Sequence, residues 1–146
     1  MSEITFKRKF YDEMLEWKMN SNGKSALMID GARRVGKSTI AEVFAKNEYD
    51  DYLLIDFVNA SKDIKDNFDN LGNMDVFFRN LFLFAGKGLK SNNSVIIFDE
   101  VQKFPRAREA IKYLVKDGRY HYIETGSLIS IKKKSQEIVI PSEEDK

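Results

Sequence analysis

Residues 25–39 read Ser25-Ala26-Leu27-Met28-Ile29-Asp30-Gly31-Ala32-Arg33-Arg34-Val35-Gly36-Lys37-Ser38-Thr39. Ala26 to Ile29 form a short continuous apolar run, the pattern of a strand buried on both faces, so a strand is predicted over 25–30. Ile40, Val43 and Phe44 recur at helical spacing and predict a helix from about Ser38 to Lys46 with those three inward. Between strand and helix stands Gly-x-x-x-x-Gly-Lys-Ser. Gly31 and Gly36 permit backbone angles that turn several N–H groups towards one anion. The following helix offers its positive N-terminal end to the same place.

That pattern is the Walker A, or phosphate-binding, motif. Lys37 supplies a mobile cation for β- and γ-phosphates, Ser38 a hydroxyl ligand for Mg2+, and Thr39 is placed to donate towards an α-phosphate. Gly31, Ala32, Arg33, Arg34, Val35 and Gly36 would wrap the phosphates with their backbone. With glycine at about 7% of average sequences, a chance match in a chain this size is on the order of one in a few hundred. The strand and helix on either side remove most of that chance. Arg33 and Arg34 have two readings, as contacts to phosphate or a neighbouring subunit, or as solvated loop cations.

Outward from this unit, helical and strand patterns alternate, which implies an α/β domain around a parallel sheet. Phe6, Phe10, Met14 and Trp17 make one stripe of a helix over about 6–19. Further strands are predicted over 52–58, 94–99 and 120–125, with a fifth at 137–140. Helices are expected over about 73–85, with Met74, Phe77, Phe78, Leu81, Phe82 and Ala85 on one face, and from Pro105 to Gly118, with Ala107, Ala110, Ile111, Leu114 and Val115 inward. Residues 59–73, rich in Asp, Asn and Lys, read as loop. Trp17 and the eleven Phe read as core.

The run Val95-Ile96-Ile97-Phe98-Asp99-Glu100 is four apolar residues closed by two carboxylates. In open α/β sheets ligands bind at the carboxyl ends of strands. Some sixty residues after the glycine loop, this reads as Walker B: Asp99 holds Mg2+ and Glu100 acts as general base towards water. A carboxylate pair argues for water as the nucleophile. No Asn-Lys-x-Asp guanine motif occurs, which favours adenine.

Tyr122-Ile123-Glu124-Thr125-Gly126-Ser127 ends a strand in a small polar cluster. Thr125 or Ser127 is placed as a polar sensor of the γ-phosphate, the alternative being a plain Gly-Ser turn. Gln102 either links the Walker B turn to that cluster or is a solvated amide. His121, the sole histidine, reads as a packing or edge residue. Lys132-Lys133-Lys134 is either a nucleic-acid contact or a solvated turn.

The 146 residues carry 24 basic and 23 acidic side chains, a net charge of +1 that gives no support to nucleic-acid binding. An apolar fraction of 42% fits one globular domain. The absence of cysteine excludes disulfides and thiolate chemistry and suits a reducing compartment. The charged first twenty residues contain no signal-peptide core, and no apolar run approaches the roughly 20 residues that span a bilayer. A cytoplasmic protein without a membrane partner is expected.

Gly-Ala-Arg-Arg-Val-Gly-Lys-Ser-Thr (31–39), Ile-Phe-Asp-Glu-Val-Gln (97–102) and Glu-Thr-Gly-Ser (124–127), with the stretch from Arg8 to Trp17, resemble the prokaryotic AAA-type ATPases that carry a nuclease-like domain of unknown role at the C-terminus. The likeness covers about residues 6–141. It implies ATP and Mg2+ binding by the residues named, a helical lid and a further C-terminal domain, neither of which is expected before Lys146. The expected fold is a three-layer P-loop NTPase with a mostly parallel sheet of order 5-1-4-3-2. Residues 1–24 would form a helix packed on a core at 25–140, followed by a tail at 141–146. ATP hydrolysis coupled to a partner domain or homo-oligomer is the leading reading. Nucleotide binding without turnover and phosphotransfer to a small molecule are the alternatives.

Overall fold

A computed structural model of the chain describes residues 3–31, 36–127 and 137–141, with side chains described over 8–31 and 36–127. Helix α1 (Glu3–Ser21) leads into strand β1 (Ala26–Asp30) and helix α2 (Lys37–Glu48). Strand β2 (Asp51–Asp56), the short helix α3 (Lys62–Asp66) and a 3-10 turn at Asn67–Asn70 precede α4 (Met74–Ala85). Strand β3 (Ser94–Asp99), a 3-10 turn at Val101–Lys103, α5 (Pro105–Asp117), β4 (His121–Gly126) and β5 (Glu137–Pro141) follow. Among the described residues five strands form one sheet, in the order β5-β1-β4-β3-β2, with every neighbouring pair parallel. This is the expected order, and β4 lies between the two motif-bearing strands.

Period-two alternation divides the core into two layers. Leu27 and Ile29 of β1, Val95 and Ile97 of β3, and Ile123 of β4 pack with Phe10, Met14 and Trp17 of α1 and with Ala41, Phe44 and Ala45 of α2. Ala26, Met28, Ile96, Phe98 and Tyr122 point the other way, against Phe77, Phe78 and Leu81 of α4 and Ala107, Ala110, Ile111 and Leu114 of α5. The same parity has a consequence at the strand tips. Asp99 follows Ile97 by two and Thr125 follows Ile123 by two, so both belong to the α2 side of the sheet.

Several boundaries and burial assignments differ from expectation. Helix α1 runs to Ser21, two residues beyond the expected end, and the side chain of Phe6 lies outside those described. In α2 the buried residues are Lys37, Ala41, Phe44 and Ala45, whereas Val43 is exposed. Small Ala41 and Ala45 let the helix sit close to the sheet, which rotates Val43 outward. Residues 59–73 are not all loop. The Ser61 side chain accepts a hydrogen bond from Ile64 N and caps α3, and Ile64 and Phe68, four apart, are buried. Phe68 meets the rings of Phe57, Phe77, Phe98 and Phe104. Sparse apolar residues among many charges hid this turn. Phe84, read as core, is exposed on α4. Pro141 ends β5 rather than beginning a tail, and residues 142–146 lie outside those described, as do Lys132, Lys133 and Lys134.

His121 is a packing residue. Its Nδ1 lies 2.7 Å from the Tyr49 hydroxyl, and its ring stands edge-to-face with Trp17 and Tyr49. Burial, with a smaller contribution from the Lys18 charge, lowers its pKa below the ordinary value of 6.5. Below that value the unfolded chain takes up a proton that the folded chain resists. His121 therefore makes stability fall as pH drops through 6.5, down to its lowered native pKa. Urea denaturation between pH 7.5 and 5.5 is expected to show this loss, and His121→Phe is expected to reduce the slope.

Candidate nucleotide site

The site is built at the carboxyl ends of β1, β3 and β4. Gly36 takes φ 75° and ψ 32°, a left-handed conformation that glycine adopts without steric cost, and turns the chain into α2. Gly36 O accepts the hydrogen bond of Ile40 N at 3.0 Å, and Gly31 N donates to Gly126 O at 3.1 Å, tying the start of the glycine loop to the tip of β4. Gly31, Gly36, Lys37, Ser38 and Thr39 of the expected loop are described. Ala32, Arg33, Arg34 and Val35 lie outside the described residues.

Lys37 opens α2 and is only 2% exposed. A buried ammonium requires countercharge. Glu100 Oε2 stands 3.5 Å from its Nζ. Ser38 is half-buried beside it, and Thr39 is exposed.

Asp99 and Glu100 are held by one hydroxyl. Thr125 Oγ1 donates to Asp99 Oδ1 at 2.6 Å and accepts from the Glu100 backbone N–H at 2.9 Å. Glu100 has φ 55° and ψ 52°, a left-handed conformation costing a residue with a Cβ roughly 1–2 kcal/mol. The bond to Thr125 offsets part of that cost. Turning left-handed ends β3 abruptly and brings the Glu100 carboxylate round to Lys37. Burial raises the pKa of Asp99 above the ordinary carboxylate value. The Thr125 bond opposes this, Glu100 and Asp56 reinforce it, and Lys37 weakly opposes it. Asp99 thus sits where additional positive charge would stabilise its ionised form.

Of the two candidate sensors, Thr125 is buried among Asp99 and Glu100, and Ser127 lies half-buried just past the end of β4. Thr125→Val keeps the shape and removes both hydrogen bonds, leaving the Glu100 N–H without its partner. A loss of about 1–3 kcal/mol is expected in urea denaturation, with Thr125→Ser recovering most of it.

Gln102 is no solvated amide. Its Nε2 donates to Glu100 Oε1 at 2.8 Å. Sequence reasoning missed a buried pair on the opposite side of β4, where Arg108 of α5 stands 3.5 Å from Glu124. Arg108 falls one residue after Ala107 on the apolar stripe of α5, and Glu124 has the parity of Tyr122, which was the available signal. A cavity of about 600 Å3 lined by Lys24, Asp117, Arg119 and His121 lies at the other end of the sheet, away from the glycine loop.

A parallel sheet of this order, with a glycine turn after β1 and an Asp-Glu pair ending β3, defines the nucleotide-binding P-loop ATPase domains. A family model described as an AAA domain matches residues 23–140, and the chain belongs to that family. No curated protein matches the sequence. Among the described residues no helix is long and apolar enough to cross a membrane.

Proposed function

We propose that this chain hydrolyses ATP with Mg2+, using Lys37, Ser38 and Asp99 to hold the nucleotide and metal and Glu100 to activate water. The observation that carries the reading is the meeting of Lys37, Asp99, Glu100 and Thr125 at one end of the sheet. The donor set suits a magnesium–triphosphate pair. Lys37 is a buried cation beside a left-handed glycine turn, and burial disfavours the charged form of Asp99 unless positive charge arrives. Among the described residues no three His, Cys, Asp or Glu side chains gather into a self-sufficient metal site. A cation held here takes its other ligands from phosphate and water, the habit of Mg2+.

Lys37 and the loop amides would bind the phosphates, Ser38 and Asp99 would ligate Mg2+, and Thr125 would fix the Asp99 carboxylate. Mg2+, when bound, supplies neutralisation of charge on the β- and γ-phosphates. Glu100 would take a proton from the attacking water on a carboxylate oxygen. Of the two sensor candidates, Thr125 or Ser127, the Thr125 hydroxyl is already engaged by Asp99 and Glu100, so Ser127 would orient that water. Adenine is the base proposed, since the guanine motif is absent.

We assign the chain to the prokaryotic group with a C-terminal nuclease-like domain, on 31–39, 97–102 and 124–127. A cytoplasmic ATPase core at 25–140, preceded by an N-terminal segment at 1–24 that carries α1 and acting on a partner domain or a second subunit, completes the proposal. A second reading, nucleotide binding without turnover, draws on the contact of Lys37 with Glu100, which occupies the base. Steady-state hydrolysis of ATP and GTP, with and without Mg2+ and with calorimetric binding alongside, separates the two. Phosphate release from ATP that stops on chelation is expected. Tight ATP binding with no phosphate release would favour the second reading.

A further inference from the structure

Glu100 is gripped at both oxygens. Lys37 Nζ lies 3.5 Å from Oε2, and Gln102 Nε2 donates to Oε1 at 2.8 Å. The two grips differ in what a nucleotide would do to them. Lys37 is the cation that turns to phosphate, whereas Gln102 has no such second task. The Gln102 amide is enclosed on its far side. Its Oε1 is buried without a hydrogen-bond partner, which is unfavourable for a polar atom. Such an arrangement persists where the surroundings hold the side chain in place. Flipping the amide would set its oxygen against the Glu100 carboxylate.

Gly126 explains how the amide is held. A Cβ on Gly126 would stand 2.6 Å from Gln102 Oε1, 3.2 Å from Met28 Cε and 3.4 Å from Val101 Cγ1. The amide oxygen therefore occupies the space that any other residue would fill at the tip of β4. Gly126 has no positive φ, so a Cβ added there would act by displacing the Gln102 amide and not by straining the backbone.

We infer that Gln102 is a positioning residue: braced against Gly126, its amide keeps the Glu100 carboxylate in place when Lys37 leaves it for phosphate. This rests on Glu100 being the base. With Lys37 withdrawn and Gln102 absent, the carboxylate would be free to rotate, and a general base displaced by about 1 Å loses on the order of 100-fold in rate.

The test uses Gln102→Leu, which fills the space without an amide, and Gly126→Ala, which pushes the amide away while keeping it. ATP affinity by calorimetry is expected to stay within about twofold of wild type for both variants, with kcat falling about 10- to 100-fold and KM little changed. The double variant is expected to be no slower than the worse single one, since both remove the same contact. A readout without turnover comes from the Gln102 side-chain amide protons by NMR in the nucleotide-free protein. They are expected to be shifted and protected in wild type and to move to the free-amide position in Gly126→Ala and Glu100→Ala. Wild-type kcat in Gln102→Leu, or a free-amide signal in the wild-type protein, would overturn the assignment. Glu100→Gln, run in parallel, separates the failures. If it hydrolyses at the wild-type rate, Glu100 is not the base and both readings fall. If it is slow while Gln102→Leu is fast, only the role of Gln102 falls.

Discussion

Glu100→Gln is expected to bind Mg·ATP with wild-type affinity and to release phosphate about 100- to 10,000-fold more slowly. The substitution is nearly isosteric and leaves the backbone N–H that donates to Thr125 untouched, so the left-handed turn after β3 survives. It replaces a carboxylate that can accept a proton by an amide that cannot. The contact of Lys37 with Glu100 loses its charge, which leaves Lys37 freer to meet phosphate. The effect therefore belongs in kcat, with KM unchanged or lower. Phosphate release at the wild-type rate would remove Glu100 from the chemistry and leave Asp99 and Lys37 as binding groups.

Lys37→Ala is expected to abolish stabilisation by ATP. At a nucleotide concentration a hundred times Kd, binding adds about 2.7 kcal/mol to the folded state. For a chain of this size that is a rise in Tm of roughly 5–10 °C. Lys37 is 2% exposed, so its ammonium meets a ligand in a poorly hydrated place where charge contacts are strong. The variant is also expected to be less stable without nucleotide, because the Glu100 carboxylate, itself 12% exposed, loses a countercharge. Lys62→Ala serves as control. Lys62 is 87% exposed and pairs with Asp66 on α3, and its loss is expected to leave the response to ATP intact.

The sheet was legible because its strands contain short continuous apolar runs. The runs ending at Asp99 and Thr125 place the carboxylates and Thr125 at strand tips, where open α/β sheets bind ligands. Residues 59–73 were not legible as structure. Their helical turn opens on a local cap, Ser61 accepting from Ile64 N, which a single serine among charges does not announce. It is held by Phe68 meeting four other rings, and these are tertiary contacts that composition does not reveal. Val43 failed for a related reason, since helical spacing fits two neighbouring faces and the alanines chose between them.

At the site, the residue types were readable and their couplings were not. Nothing in Asp99-Glu100 announces that Glu100 turns left-handed, or that the Thr125 hydroxyl bridges the two residues. The spacing of Gln102 two residues after Glu100 hinted at a link but could not supply its direction. That direction comes from Gly126, whose missing side chain leaves room for the amide.

Calorimetric titration of ATP with Mg2+ into the intact chain and into Lys37→Ala examines the nucleotide site at its foundation. One nucleotide bound per wild-type chain, with no measurable heat from Lys37→Ala, is the predicted result. Equal binding by both proteins, or none by the wild type, would contradict a phosphate site centred on Lys37.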